Sequence, residues 1–198
     1  MPLSKTVQRI FDIVLSLTGL IISIPFFFVA AIFILVTDGY PVFFIQKRVG
    51  LNGREFGMFK FRSMKKNAEK IGLQITVGGK DPRITQIGFI LRKYKIDELP
   101  QLFNVLIGQM SFVGPRPEVR RYVNEYTDAQ LEVLKIKPGI TDLASIKYKN
   151  ENELLGKSIN PEHTYINEVL PAKIELNMKF VKNPTIQLYF QIIWKTIF

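Results

Sequence analysis

The sequence predicts an α+β protein with two parts. A re-entrant membrane anchor of helix-break-helix form (residues 1–39) precedes a mostly helical cytoplasmic domain (residues 40–198) with a small β-hairpin and interfacial amphipathic helices. Three observations predict this: a long uncharged run, two β-rich runs flanking a tight-turn sequence, and apolar residues repeated at helical spacing. The 198 residues leave room for one anchor and one domain of ordinary size.

Composition narrows the classes of partner and of chemistry. The chain has 27 Lys+Arg against 17 Asp+Glu, a net charge of +10, which favours polyanionic partners such as nucleic acid, anionic lipid or nucleotide phosphates. The absence of cysteine excludes disulfides, zinc fingers and thiol catalysis, and the single His163 leaves no histidine-based metal site. Any bound metal therefore needs carboxylate ligands, which favours Mg²⁺ or Mn²⁺.

Residues 13–36 carry no charge, and at about 1.5 Å per residue they are long enough to cross a bilayer core. Pro25 removes a backbone donor in the middle of this run, and the Ser23 hydroxyl can bond a freed carbonyl, so a bend is expected there. Basic residues lie on both sides of the run, at positions 5, 9, 47, 48, 54, 60, 62, 65, 66 and 70. Basic flanks favour the cytoplasmic side of a membrane, and here they stand at both ends of the run. The sequence therefore predicts a re-entrant anchor, which enters and leaves the membrane on the same side. The alternatives are a kinked spanning helix and a cleaved signal peptide, although no small-residue cleavage site follows the run.

Two β-rich runs, residues 42–48 and 55–61, flank Asn52-Gly53, a pair suited to the positive backbone angles of a hairpin turn. The basic residues between positions 47 and 70 predict a surface that faces lipid headgroups, or else an ordinary solvated face.

Apolar residues then recur at helical spacing. Phe89, Ile90 and Tyr94 suggest a short helix, and a stripe at positions 99, 102, 103 and 106 predicts an amphipathic helix that begins near Asp97. Pro100 suits the first turn of this helix and Asp97 can cap it, so Asp97 and Glu98 would stand at a helix N-terminus that attracts anions. A plain cap with a first-turn charge is the ordinary alternative.

The remaining segments carry weaker signals. The stripe at positions 119, 122, 123 and 126 predicts core packing, and Thr127 with Gln130 resembles a capping box that opens a helix ending near residues 138–139. Residues 151–180 are expected to be helical around a break at Pro171. The apolar run of residues 188–198 suits either the membrane interface or the core.

Taken in order, these motifs resemble the small monotopic phosphoglycosyl transferases of the bacterial sugar transferase family. The resemblance covers most of the chain and rests on an ordered series of blocks: Gln46, Arg48, Gly50, Gly53 and Phe56; Lys60-Phe61-Arg62-Ser63-Met64; Asp81, Arg83, Thr85, Gly88, Leu91 and Arg92; Asp97-Glu98-Leu99-Pro100-Gln101-Leu102; Asn104, Gly108 and Met110-Ser111; Gly114-Pro115-Arg116-Pro117-Glu118; and Pro138-Gly139-Ile140-Thr141. Each block alone is weak evidence for the family, whereas the ordered series is specific to it.

The resemblance implies a two-step transfer at a bacterial inner membrane, with the catalytic domain on the cytoplasmic face. Asp97 would attack the β-phosphorus of a UDP-sugar and release UMP, and a polyprenol phosphate (undecaprenyl phosphate) would then take the sugar-phosphate from the enzyme. Glu98 would hold Mg²⁺. The resemblance also implies that Lys60, Arg62, Arg116, Arg92 and Arg48 bind substrate, that Ser23 and Pro25 break the anchor, and that Arg9 lies near lipid headgroups.

General chemistry agrees with this expectation. A carboxylate can carry a covalent phosphoryl group, and the transfer needs positioned positive charge, which a metal and an arginine supply. The sequence departs from the family at Gln8-Arg9, at Ser23-Ile24-Pro25 and at residues 142–149, so the identity of the donor sugar stays open. Two alternatives remain: a non-catalytic, membrane-anchored basic protein that binds nucleic acid or anionic lipid, and an inactive family-like scaffold. The enzyme hypothesis expects no nucleic-acid partner and leaves a homodimer possible.

Overall fold

A computed structural model of the chain describes residues 2–68, 75–78 and 81–198. The helices of this part are α1 (Lys5–Asp38), α2 (Gln86–Lys93), α3 (Gln101–Leu106), α4 (Arg120–Val123), α5 (Asp128–Leu131), α6 (Leu143–Lys147), α7 (Glu151–Gly156), α8 (Pro161–Thr164), α9 (Leu170–Lys182) and α10 (Ile186–Ile197). The strands are β1 (Phe43–Val49), β2 (Glu55–Phe61), β3 (Ser111–Val113) and β4 (Gly139–Thr141). The predicted α+β class is confirmed in this coarse sense. Lys70, one of the predicted flanking cations, lies outside the described residues.

The uncharged run lies within α1, which Ser4 caps by accepting a hydrogen bond from the backbone nitrogen of Val7 at 3.2 Å. This is the one described helix long and apolar enough, by length and composition, to cross a membrane. The structure does not show the predicted interruption at Ser23 and Pro25: helical backbone continues through both residues. One missing backbone donor removes one helical hydrogen bond, and the helix continues past it. The re-entrant course stays a prediction.

One stripe of α1 is buried along most of the helix. Its fully buried positions, Asp12, Ser16, Ser23, Ala30 and Ile34, are separated by four or seven residues, which places them on a single face. The domain therefore lies alongside α1 over most of its length and not beyond one of its ends.

Both halves of α1 contribute to hydrophobic clusters of the domain. The first half packs with α10 and β3 in a cluster centred on Leu3, Val113 and Tyr189. The second half packs with β2 and α2 through Ala30, Ile34, Phe61 and Leu91. Between these clusters, Gly19 of α1 lies against Leu102 of α3.

The predicted hairpin is confirmed. Strands β1 and β2 pair antiparallel from Phe43 opposite Phe61 to Val49 opposite Glu55. The connection passes through Asn52 and Gly53, both with positive φ (55° and 73°), as the predicted turn requires.

A second sheet, formed by β3 and β4, was not predicted. The two short strands run parallel, with Ser111 opposite Gly139 and Val113 opposite Thr141. The chain crosses itself tightly beside this sheet: a Cβ atom on Gly114 would lie 2.3 Å from the backbone oxygen of Lys137. Only glycine fits there, and residues 115–117 leave the sheet from this crossing.

Several helical predictions need correction. The helix expected from Asp97 is a 3₁₀ turn, Ile96–Glu98, followed by α3, and neither has a side-chain cap, so the capping role predicted for Asp97 is wrong. The Thr127 and Gln130 capping box is confirmed, but its helix ends at Leu131 because a 3₁₀ turn, Glu132–Lys135, and then β4 follow. Pro171 lies at the start of α9, after a π-helical turn, Tyr165–Val169.

The predicted core residues Tyr122 and Val123 are buried, in agreement with their stripe. In the apolar run of residues 188–198, Tyr189 and Ile192 are buried, in agreement with core packing, whereas Trp194 and Phe198 are exposed. The membrane-interface alternative stays a prediction. Exposed apolar side chains continue over α1, α2 and α3 at Ile21, Ile22, Phe28, Val36, Phe89, Ile90, Phe103 and Ile107.

Candidate active site

The acid pair lies in the 3₁₀ turn between α2 and α3. Lys95, just before it, has a φ of 58°, a left-handed conformation that turns the chain out of α2. Asp97 is 5% exposed and lines a cleft of about 790 Å³. A cleft of this volume is within the range that holds a small organic ligand.

Cations dominate the lining of this cleft. Its described basic residues are Lys47, Arg48, Lys60, Arg62, Lys65, Lys66, Arg83, Arg92, Arg120 and Arg121, and its acids are Glu55 and Asp97. Apolar residues, among them Phe43 and Ile45, line the same cleft. The cleft therefore suits a ligand that carries several negative charges and also has apolar parts.

Glu98 joins two predicted site residues. Its carboxylate forms an ion pair with the guanidinium of Arg116 and lies 3.7 Å from the Lys60 ammonium nitrogen. Burial raises the pKa of the Glu98 carboxyl, but Arg116 and then Lys60 outweigh burial and hold that pKa well below its usual range. Glu98 is therefore ionised, and both cations converge on it.

Asp97 has the opposite electrostatic balance. Burial and the charge of Glu98 raise its pKa, against the smaller opposing effects of Lys60, Arg92 and Lys95. A desolvated carboxylate with few hydrogen-bonding partners is more reactive toward phosphorus than one held by strong ion pairs. The two neighbouring acids are thus suited to different roles.

Lys60 connects the cleft with the ion pair, because it lines the cleft and contacts Glu98. Burial lowers the pKa of Lys60 to about 8, although Glu98 opposes this shift. Asn104 of α3 fixes the adjoining part of β2: its side-chain oxygen accepts from the Phe59 nitrogen at 2.9 Å, and its nitrogen donates to the Gly57 oxygen at 2.7 Å.

Arg116 lies between Pro115 and Pro117, whose rings fix their own φ angles. Its backbone nitrogen donates to a side-chain oxygen of Asp142 at 2.8 Å, and Arg48 donates to the Pro117 oxygen at 3.2 Å. The Arg116 side chain is 32% exposed, so it is accessible to a ligand although Glu98 holds it.

The other predicted substrate-binding arginines also have partners within the protein. Arg48 forms a 3.4 Å ion pair with buried Glu118, and Arg92 donates to Thr76 at 2.9 Å. Arg62 donates to the backbone oxygens of Asp38 (2.8 Å) and Gly39 (2.5 Å), which ties β2 to the end of α1. All three line the cleft, but their main observed contacts hold the site together.

Residues 9, 23 and 25 lie outside the site. Arg9 donates to the oxygens of Val105 and Leu106, each at 2.6 Å, at the C-terminal end of α3, where a cation complements the helix dipole. The structure thus brings together Lys60, Arg92, Asp97, Glu98, Arg116 and Arg48, and it leaves Arg9, Ser23 and Pro25 along α1.

Two functional neighbours were missed from the sequence. Asp142 was noted only as a departure from the family pattern, and Glu118 only as part of a motif. Glu118 is buried and accepts from the Tyr165 hydroxyl at 2.6 Å as well as pairing with Arg48. No local spacing signal indicates either contact, because each partner lies far away in the sequence.

The fit of the site to Mg²⁺ is partial. Within the described ranges, no group of three or more His, Cys, Asp or Glu residues is arranged to hold a metal. Mg²⁺ nevertheless often takes only one or two carboxylates together with phosphate oxygens and water. Glu98, the residue that the resemblance assigns to the metal, offers one such carboxylate, provided that it gives up part of its contact with Arg116 or Lys60.

Comparisons with known proteins agree with the motif series. Residues 3–198 match the family model described as bacterial sugar transferase. The chain is 35% identical over 200 residues to the UDP-N-acetylgalactosamine-undecaprenyl-phosphate N-acetylgalactosaminephosphotransferase of Aeromonas hydrophila, covering 99% of this chain and 44% of that protein. It is 36% identical over 197 residues to the UDP-glucose:undecaprenyl-phosphate glucose-1-phosphate transferase of Klebsiella pneumoniae, covering 96% and 39% respectively.

A shorter relative shows higher identity. The putative undecaprenyl-phosphate N-acetylgalactosaminyl 1-phosphate transferase of Bacillus subtilis is 47% identical over 112 residues, which cover 57% of this chain and 62% of that protein. The chain spans less than two thirds of the length of these relatives.

Proposed function

The chain belongs to the bacterial sugar transferase family, and from this premise we propose that it moves a sugar-1-phosphate from a UDP-sugar to undecaprenyl phosphate and releases UMP. Relatives from Aeromonas and Klebsiella carry names that combine a UDP-sugar with undecaprenyl phosphate. The observation that carries the proposal is the position of Asp97, at the wall of a strongly basic cleft and next to the Glu98, Arg116 and Lys60 cluster. The reaction would begin the assembly of a glycan.

In the first step, an Asp97 carboxylate oxygen attacks the β-phosphorus of the donor. A bond forms between that oxygen and phosphorus, and the bond from phosphorus to the oxygen bridging the two phosphates breaks, so UMP leaves with the bonding electrons. In the second step, a phosphate oxygen of the lipid acceptor attacks the same phosphorus and frees the Asp97 carboxylate. The products are UMP and a polyprenyl diphosphate sugar, and one phosphate linkage replaces another.

Positive charge around the moving phosphoryl group is what this chain supplies. Glu98 already holds Lys60 and the partly exposed Arg116 close together before the donor binds. A bound diphosphate would compete with Glu98 for both cations. Glu98 would hold Mg²⁺ together with donor phosphate oxygens, and the ion would neutralise charge on the diphosphate.

We further propose that α1 enters and leaves the membrane on the cytoplasmic face. Support comes from its buried stripe, since a helix that packs on one domain from Leu3 to Ile34 cannot carry its second half to the far side without that domain. The exposed apolar side chains of α1, α2, α3 and α10 would then rest in the interfacial region. This placement brings Asp97 to the depth of the acceptor's phosphate.

The test is UMP release from a panel of UDP-sugars by purified enzyme, with and without undecaprenyl phosphate. The expected result with one donor is a single equivalent of UMP without acceptor, a mass increase of the protein equal to one sugar-phosphate, and continued turnover when acceptor is added. EDTA should stop release, and Mg²⁺ should restore it.

Asp97→Asn should abolish both the mass increase and the turnover, whereas the matched variant Asp128→Asn, on distant α5, should behave like the wild type. Normal turnover by Asp97→Asn would refute the nucleophile. Salt-sensitive oligonucleotide binding without UMP release from any donor would instead support the non-catalytic alternative.

A further inference from the structure

Asp142 lies directly after β4 and is 3% exposed. Its carboxylate accepts three hydrogen bonds: from the Arg116 backbone nitrogen at 2.8 Å, from the Asn177 side-chain nitrogen at 2.9 Å, and from the Ser145 backbone nitrogen. The donors belong to three separate parts of the chain, namely residues 115–117, α9 and α6. One buried carboxylate therefore joins all three.

The bond to Arg116 matters because of its neighbours. Pro115 and Pro117 have no backbone N–H, so the nitrogen of Arg116 is the one backbone donor within residues 115–117. The same segment is also held by two of its acceptors: the Pro115 oxygen receives the Gly139 nitrogen at 3.1 Å, and the Pro117 oxygen receives Arg48 at 3.2 Å. Asp142 thus takes the single backbone donor of the segment.

Carboxylates hold Arg116 at both ends. Asp142 binds its main chain, and Glu98 binds its guanidinium. If the guanidinium moves from Glu98 to a substrate phosphate, the bond to Asp142 keeps the main chain in place. Asn177 supports this arrangement, because its oxygen also accepts from the Ala144 nitrogen at 3.3 Å.

We propose that Asp142 is a positioning residue that fixes the backbone of Arg116 and so aims its guanidinium at the donor diphosphate. The proposal rests on the proposed function and adds a residue to it. Asp142 itself does not contact the substrate and acts through Arg116.

The variant Asp142→Ser separates this role from simple stability. A serine hydroxyl still accepts from the Ser145 nitrogen and keeps the cap of α6, but it is too short to hold the Arg116 nitrogen as well. We expect kcat/KM for UMP release to fall about ten- to a hundredfold, since small displacements of positioning groups have effects of this size. The control Asn160→Ala removes the cap of α8, a bond to the His163 nitrogen at 3.1 Å, and should leave kcat/KM unchanged.

A double-mutant cycle tests whether Asp142 acts through Arg116. In an Arg116→Lys background, Asp142→Ser should lower kcat/KM by less than about threefold, because the guanidinium that Asp142 positions is already absent. The same fold-loss in both backgrounds would overturn the proposal.

Amide hydrogen exchange gives a readout that does not depend on activity. The Arg116 amide should exchange faster in Asp142→Ser than in the wild type and should be unchanged in Asn160→Ala; unaltered exchange in Asp142→Ser would overturn the proposal. If the wild type releases no UMP from any donor, the proposed function fails, and the exchange result still decides whether Asp142 holds the Arg116 backbone.

Discussion

Lys60 carries a positive charge at a place where charge is costly. Its side chain lies beside Glu98, and burial lowers its pKa to about 8. Lys60 therefore loses its proton in mildly alkaline solution. Asp97, whose pKa burial raises, gains its reactive form as the pH increases. The two residues therefore limit activity from opposite sides of the pH scale.

We expect a bell-shaped dependence of kcat/KM on pH. The acidic limb rises as Asp97 loses its proton, and the alkaline limb falls above about pH 8 as Lys60 loses its own. Lys60→Arg should lower kcat/KM but remove the alkaline limb up to about pH 10, because a guanidinium stays protonated there. UMP release measured from pH 5 to about pH 10 checks this expectation.

The control for this experiment is Lys182→Arg, at an exposed position at the end of α9, which should keep the wild-type profile. An alkaline limb that persists in Lys60→Arg would assign it to another group.

At the residue scale, the sequence indicated the candidate site residues but not the contacts between them. Asp97 and Glu98 stood out as an adjacent pair, and the motif series added Lys60 and Arg116. Nothing in the spacing showed that Glu98 holds both cations, since Lys60 and Arg116 lie on opposite sides of it in the sequence and on different elements. The sequence marks Asp142 only as a departure from the family pattern, and its bond to the Arg116 nitrogen becomes visible only when β3 and β4 pair.

At the scale of elements, α1 is joined to the domain by a buried carboxylate. Asp12 accepts from the Ser111 hydroxyl (2.8 Å), the Phe112 nitrogen (3.0 Å) and the Tyr189 hydroxyl (2.9 Å), so it links α1 to both β3 and α10. Without Asp12 each of these donors would lose this acceptor.

Asp12→Ala should therefore destabilise the protein by about 3 kcal/mol or more, because three donors, two of them on buried side chains, lose their acceptor. Tyr189→Phe removes one donor and keeps the acceptor, so it should lower the free energy of unfolding by about 1 kcal/mol. Unfolding in detergent micelles measures both values. Equal losses in the two variants would show that water replaces Asp12 as the acceptor.

Elements with a local pattern were predictable, and those made by distant pairing were not. The hairpin followed from alternating β-rich runs around Asn52-Gly53. Strands β3 and β4 are too short to show periodicity, and their parallel pairing depends on the close crossing at Gly114 and Gly139. A bend was expected at Pro25, but helical backbone continues through it, and α1 packs on the domain before and after it.

At the scale of the whole molecule, the exposed apolar side chains lie on elements close to the turn that carries Asp97. Helices α1, α2 and α3 carry exposed apolar side chains, and the turn between α2 and α3 carries Asp97. A bilayer that covers the apolar surface would bring anionic headgroups next to the cleft.

This arrangement predicts that both ends of α1 lie on one side of the membrane. The natural chain has no cysteine, so single substitutions Lys5→Cys and Tyr40→Cys, both at exposed positions, can be probed with a membrane-impermeant thiol reagent. In intact cells both should stay unlabelled, and in inside-out vesicles both should react. Ile22→Cys, at mid-helix, should react in neither preparation because lipid covers it. Labelling of positions 5 and 40 from opposite sides would show a spanning helix.

Since α1 is tied to the domain near Leu3 and again near Ile34, the protein itself sets how deeply the helix is immersed. A crossing helix must match the hydrocarbon thickness and is penalised for each ångström of mismatch. On the proposed one-sided course, α1 has no opposite surface to reach, so acyl-chain length should matter little to it. We expect such an enzyme to work as well in thin membranes as in thick ones.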